Sequence, residues 1–216
     1  MPSQFGAPTG GRGWLAAQVV ARLTGEANRW LVDCLGVGPD DRLLDVGCGP
    51  GLALAHAAEV RRARAVGVDA SDVMVRHARR RNRRWIAQGR VGIHRADAAG
   101  LPFRDAAFTA AGSLNSLQFW PAPGAGLAEL HRVLEPGGRA AVVLMARGDD
   151  PDGPALPAWM EETASLMGDA GFARPDTASR TFGGVLHRAL VASRPEKEVG
   201  APLDPTADGV RKGAGP

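Results

Sequence analysis

The sequence predicts a doubly wound α/β domain with a mostly parallel sheet, on three observations. Five short apolar runs alternate with segments of helical periodicity between residues 42 and 145, the order that builds a sheet with helices on both faces. Those runs show little polar alternation, as expected of parallel strands buried on both sides. Two final runs, Arg174–Phe182 and Val185–Ser193, are separated only by Gly183 and Gly184, which suits an antiparallel hairpin rather than a crossover. Seven strands are therefore expected, five parallel and two in a C-terminal antiparallel hairpin.

Each element follows from local pattern. From Trp14 to Leu35 apolar residues recur at helical spacing, and Gly25 divides the run into two amphipathic helices. Pro39 and Asp40 mark a turn. Strands are expected at Arg42–Val46, Ala65–Val68, Val91–Arg95, Ala107–Gly112 and Gly138–Met145. Helices are expected at Leu52–Val60, at a segment capped by Ser71 or Asp72 and carrying Val73, Met74 and Ala78, at Gly126–Leu134 and at Ala158–Gly171. Residues 1–13 read as a flexible Gly/Pro-rich start, and residues 194–216, rich in Pro, Gly and charge, read as a disordered tail.

The chain has 216 residues, 44% hydrophobic and 23% charged, enough for one substantial core and too few for two comfortable ones. No signal-like segment or membrane-length apolar run is present. Cys34 and Cys48 are the only cysteines, which excludes a disulfide framework or a cysteine-rich metal site and points to a reducing, cytoplasmic home. Metal ligation is not expected. Net charge is +3, too little to demand nucleic acid. The run Arg79, Arg80, Arg81, Arg83 and Arg84 could make a phosphate-binding patch, but a solvated helix end is the simpler reading.

The stretch Leu-Leu-Asp-Val-Gly-Cys-Gly-Pro-Gly at 43–51 joins the first strand to its loop. Ligands of open α/β sheets bind at the carboxyl ends of the strands, where strand order reverses. A dinucleotide fingerprint would need a third glycine at Leu52, and a phosphate-cradling loop would need a Gly-Lys-Ser/Thr ending. What is present instead is Asp45, Gly47, Gly49 and Gly51. Glycines let backbone approach a ligand closely, the next helix offers free N–H groups to a carboxylate, and Asp45 adds negative charge for a cation.

The motif resembles the first motif of class I S-adenosylmethionine-dependent methyltransferases, which implies a Rossmann-like seven-stranded fold and S-adenosyl-L-methionine as the donor. The resemblance extends through Gly-Val-Asp69-Ala-Ser, Arg-Ala-Asp97-Ala, Leu101-Pro-Phe103 and Glu129-Leu-His-Arg-Val-Leu-Glu-Pro-Gly-Gly138. This last stretch is similar to the subgroup that includes ubiquinone and menaquinone C-methyltransferases. The implied donor-binding set is Asp45, Gly47, Cys48, Gly49 and Gly51 in the first loop, with the Cys48 thiol itself a small filler rather than a nucleophile. The resemblance implies that Asp69 takes the ribose hydroxyls, Ala70 and Met74 pack near adenine, and Asp97 and Ala98 clamp its amine. Ser113 and Asn115 fall near the methionine end.

Residues 14–40 are the expected cover of the acceptor site, with residues 41–193 as the methyltransferase domain. Trp14, Asn28, Trp30, Gln118, Phe119 and Trp120 are the candidate acceptor contacts, although Leu117, Phe119 and Trp120 equally suit core packing. The acceptor is read as a small molecule, with no membrane partner and nucleic acid disfavoured. Alternatives are an RNA or protein acceptor, or a donor-binding module without activity. Two departures stand out: Phe108-Thr109 replaces the family's usual Phe-Asp, and the loop Arg147–Pro157 is short for a lid. Of the five histidines, none is clearly at the carboxyl end of an expected strand, so no catalytic base is assigned.

Overall fold

The computed structural model describes residues 25–145 and 158–196. Trp14, the first expected helix, the loop Arg147–Pro157 and the segment from Lys197 lie outside the described residues. The elements run α1 Gly25–Cys34, β1 Arg42–Val46, α2 Leu52–Glu59, β2 Arg64–Asp69, α3 Asp72–Arg81, α4 Arg83–Ala87 and β3 Val91–Arg95. They continue with β4 Phe108–Leu114, a 3₁₀ turn at Leu117–Phe119, α5 Pro123–Val133, β5 Leu134–Met145, α6 Ala158–Asp169, β6 Asp176–Phe182 and β7 Val185–Ser193.

The seven strands form one sheet in the order β3-β2-β1-β4-β5-β7-β6. Pairings through β5 are parallel, while β7 is antiparallel to both β5 and β6, as the Gly183-Gly184 connection predicts. The reversal of strand order falls between β1 and β4, so the crevice opens beyond Val46 and Leu114. The edge strand β6 is exposed along nearly its whole length and carries Asp, Ser, Arg and Thr, which discourages pairing with another chain.

Two apolar cores flank the sheet. One contains Leu31, Leu43, Leu54, Ala57 and Val75, the other Leu44, Leu127, Leu130, Val142 and Met167. Helix α1 belongs to the first: Ala27, Leu31, Val32 and Leu35 are fully buried. A Cβ on Gly112 of β4 would stand 3.0 Å from Leu31, so that glycine lets α1 settle directly on the sheet.

Three expectations shift. Strand β5 begins at Leu134, four residues early, because Leu134 pairs with Phe108 before Glu135–Gly138 break the register. No single helix runs through the arginine run, since Asn82 stands between α3 and α4. The tail does not begin at Arg194. Its Nη1 donates to the carbonyls of His131, Arg132 and Leu134, and its backbone pairs with Gly137 and Gly138. This arginine closes the C-terminal end of α5, where cations are favoured.

Candidate functional site

The loop after β1 is shaped by its glycines. Gly47, Gly49 and Gly51 all have positive φ, at 75°, 51° and 74°, a region costly for residues with a Cβ. The N–H groups of Gly47 and Cys48 both donate to Val68 O, at 2.9 and 3.0 Å, tying the loop to the end of β2. Gly51 is the N-cap of α2 and supplies no side-chain cap, so the first turn of α2 offers its N–H groups to a ligand. A Cβ on Gly47 would lie 1.8 Å from Ser116 Oγ. Gly47→Ala is therefore expected to cost about 1–2 kcal/mol from backbone strain, with a further loss from displacing Ser116, read by urea unfolding.

Two carboxylates face this loop. Asp69, at the end of β2, accepts from Gly49 N–H through Oδ2 at 2.9 Å and from Ser71 N–H through Oδ1 at 2.8 Å. It thereby holds the glycine loop and the start of α3, where Ser71 is the cap. Burial pushes its carboxyl upward, and those two hydrogen bonds oppose the shift. Asp45 is 2% exposed and is pushed up to about 7, first by burial and then by the charge of Asp69. Its cross-strand partners are Gly67 and Gly112. A Cβ on either would strike Leu54 and Cys48, or Leu31. Those missing side chains let apolar groups of α1 and α2 close around Asp45, which is the origin of its desolvation.

Cys48 is buried, its thiol raised well above the ordinary range by burial, so it is packing beside Gly67 and not a nucleophile. Met74 and Ala98 are buried, while Ala70 and Asp97 are exposed. Asp97 Oδ1 accepts from Ala99 N–H at 2.9 Å. On β4, Ser113 is fully buried and its hydroxyl is without a hydrogen-bond partner. Asn115 has φ 51°; its N–H donates to Val143 O and its Oδ1 accepts from Met145 N–H at 2.7 Å. The structure thus gives Asn115 a role in joining the ends of β4 and β5.

Several positioning groups carried no sequence signal. Asn82, fully buried, donates from Nδ2 to Gly51 O and Ala78 O, both at 3.0 Å, and Arg81 donates to Pro50 O at 3.0 Å. The run read as a solvated helix end therefore also clamps the glycine loop. Asn82→Ala leaves Gly51 O without that donor, and a loss of about 1–3 kcal/mol with weaker ligand binding at the loop is expected, measurable by thermal unfolding and calorimetry. Glu129 and Arg132 make a second clamp. Glu129 accepts from Leu101 N–H at 2.8 Å, and Arg132 donates to Phe103 O at 2.8 Å and Leu101 O at 3.1 Å. The Leu-Pro-Phe stretch and the Glu-Leu-His-Arg stretch are thus hydrogen-bonded to each other.

Residues 44–142 match a family model described as a methyltransferase domain. An O-methyltransferase, cnsE, of Penicillium expansum is 35% identical over 67% of this chain and 52% of its own length. An uncharacterized methyltransferase of Bacillus subtilis, YdaC, is 24% identical over 84% of this chain and 98% of its own. Residues 44–142 form a domain of the class I S-adenosylmethionine-dependent methyltransferase family. A solved geranyl diphosphate C-methyltransferase from Streptomyces coelicolor, in complex with Mg2+, geranyl diphosphate and S-adenosyl-L-homocysteine, shares the fold. It superposes with a TM-score of 0.64 at 20% identity, over 89% of this chain and 85% of that one. The chain spans about a third to a half of the length of the first curated relatives. These relatives do not single out the ubiquinone and menaquinone subgroup.

Within this domain, the departure at Thr109 is remote from the crevice. Thr109 lies at the amino end of β4, where its hydroxyl donates to Asp41 Oδ1 and accepts from Arg42 N–H at 2.9 Å. Asp41 in turn pairs with Arg139 at 2.7 Å. A carboxylate is present at this end of the sheet after all, supplied by Asp41. The candidate acceptor contacts divide. Trp120 donates to Ser116 Oγ at 2.9 Å, and a Cβ on Gly126 would meet its ring at 2.5 Å, so it packs onto α5. Phe119 is 43% exposed and Gln118 exposed. Asn28 and Trp30 are buried, and the Trp30 ring meets Phe182 edge-on at 5.8 Å. Among the described residues no His, Cys, Asp and Glu cluster could hold a metal, and no helix is long and apolar enough to cross a membrane.

Proposed function

We propose that this methyltransferase moves a methyl group from S-adenosyl-L-methionine to a small-molecule acceptor at O, C or N, by in-line displacement. The observation that carries the reading is the pairing of Asp45 and Asp69 around a loop of three positive-φ glycines. Such a cradle admits close backbone approach and favours a cation, and the loop itself, residues 47–51, contains no lysine or arginine. In this reading Asp69 takes the ribose hydroxyls, Ala70 and Met74 border the adenine, and Asp97 and Ala98 meet its amine. Gly47, Gly49 and the α2 N-terminus serve the methionine portion, Asp45 its ammonium, and Ser113 and Asn115 its sulfonium side. The bound donor supplies an already activated methyl group. The chain's own task is to hold two reactants in attack geometry and exclude water.

The acceptor class is supported by the O-methyltransferase name of the Penicillium relative and by the absence, in Asn115-Ser116-Leu117-Gln118, of the Asp/Asn-Pro-Pro-aromatic stretch of amino-methylating DNA enzymes. A cytoplasmic home fits Cys34 and Cys48 both being unpaired. The deciding experiment is calorimetric binding of S-adenosyl-L-methionine, S-adenosyl-L-homocysteine and NAD to the full chain, followed by a metabolite screen with methyl-labelled donor. Binding of the first two without NAD is expected; NAD binding alone would overturn the reading.

A further inference from the structure

His187 lies at the carboxyl edge of the parallel strands although it is near the start of its own strand. Because β7 runs antiparallel to β5, its first residues lie at the carboxyl edge of the parallel strands, and His187 is paired with Met145, the last residue of β5. Met145 N–H is bonded to Asn115, the residue just beyond β4. His187 is thus one strand spacing, about 5 Å, from the junction that borders the donor side of the site.

The imidazole is prepared in an uncommon way. It is 1% exposed. Nδ1 lies 3.1 Å from Val185 O, a carbonyl that can only accept, so Nδ1 carries the proton and Nε2 presents its lone pair. Among the described residues, Nε2 is buried without a hydrogen-bond partner. Buried polar atoms are nearly always satisfied, so an orphaned acceptor at this edge points to a donor group that arrives with a ligand. Its ring packs edge-on to Phe182 at 5.4 Å, and Phe182 edge-on to Trp30 of α1, an aromatic wall suited to an aromatic ligand. Around it, Arg180 of β6 is the paired residue, its guanidinium 5.5 Å over the Phe182 ring. Arg188 is next on β7, and α1 carries Glu26, Arg29 and Asp33 along the groove with Trp30. Burial pushes the imidazole below its ordinary value and the Val185 contact opposes this, so the ring is neutral at neutral pH.

We propose that His187 Nε2 is the base that accepts the proton of a phenol-type hydroxyl acceptor. The inference rests on the methyltransferase reading above. As the O–CH3 bond forms and the donor's S–CH3 bond breaks, with its electron pair staying on sulfur, the hydroxyl proton moves to Nε2 and passes later to solvent.

The test compares the full chain with His187→Gln, using phenol and the more acidic 4-nitrophenol as probe acceptors with methyl-labelled S-adenosyl-L-methionine. Donor affinity is expected unchanged, kcat for phenol reduced by at least about 100-fold with KM little altered, and the loss smaller for 4-nitrophenol. The wild-type pH profile should show an acid limb below the ordinary histidine range that the variant lacks. A fall in kcat of less than about threefold, well short of general-base catalysis, or an unchanged pH profile, overturns the assignment. Imidazole nitrogen NMR of the wild type with S-adenosyl-L-homocysteine decides the matter where turnover is absent or the variant misfolds. The Nε2 resonance of His187 should move when phenol is added, and no movement overturns the proposal. Failure of the wild type to bind the donor would instead sink the parent reading.

Discussion

Asp69→Ala is expected to weaken binding of S-adenosyl-L-methionine by roughly 100-fold to 10,000-fold, because two hydrogen bonds to a charged group contribute about 1.5–3 kcal/mol each. The same change frees the Gly49 and Ser71 N–H groups that the carboxylate now holds, so some of the loss will come from a looser glycine loop. Asp69→Asn separates the two effects. Its amide oxygen can still accept from one of those N–H groups, while the charge is gone, so stability should recover more than affinity does. Calorimetric titration with the donor and with S-adenosyl-L-homocysteine measures both variants, and wild-type affinity in Asp69→Ala would refute the ribose assignment. Removing the Asp69 charge should also let the Asp45 carboxyl fall, since that charge is the second cause of its elevation.

Asp45 should make both stability and donor binding depend on pH. With its carboxyl raised to about 7 in the fold and an unfolded value of about 4, the unfolded chain binds fewer protons between those limits. Stability contributed by this group is therefore full below about pH 4, declines as pH rises, and levels off above about 7. The loss is several kcal/mol at most, since each tenfold difference in proton affinity between the folded and unfolded chain is worth about 1.4 kcal/mol. Donor binding has the opposite slope. A cationic ligand favours the ionised carboxylate, so affinity should rise nearly tenfold per pH unit up to about 7 and then flatten, with close to one proton released per donor bound at about pH 6. Asp45→Asn should remove this group's share of the slope in both measurements and bind the donor more weakly at about pH 8, where the wild-type carboxylate is ionised. Thermal unfolding across pH, together with calorimetry in two buffers of different ionisation heat, checks it. Asp41 and Glu129 are held low by hydrogen bonds and arginine charges that offset their burial. They add slopes of their own at acid pH, so the comparison is between wild type and variant.

The core of the fold and the glycine loop were legible because both rest on local chemistry. Apolar runs of strand length between helical segments admit few arrangements, and β1 and β3 fall where the pattern places them. Glycines at 47, 49 and 51 occupy backbone angles that other residues avoid. Asp69 likewise follows from a strand ending just before a helix cap. The boundary errors at Leu134 and Arg194 share one cause. Both residues are fixed by long-range partners, Phe108 for the first and the end of α5 for the second.

Neighbouring residues were thus enough to define the strands and the cradle at the end of β1, since spacing and backbone freedom are local properties. The distant groups that complete the site are known only once the chain is folded. Folding places Asn82 under Gly51 and joins Leu101–Phe103 to Glu129 and Arg132. It substitutes Asp41 for the missing acid at Thr109, and packs Trp120 onto α5. It also brings His187 to the carboxyl edge of the parallel strands, because an antiparallel strand presents its beginning where parallel strands present their ends. Strand direction is set by hydrogen bonding across the sheet, and no run of residues along β7 records it.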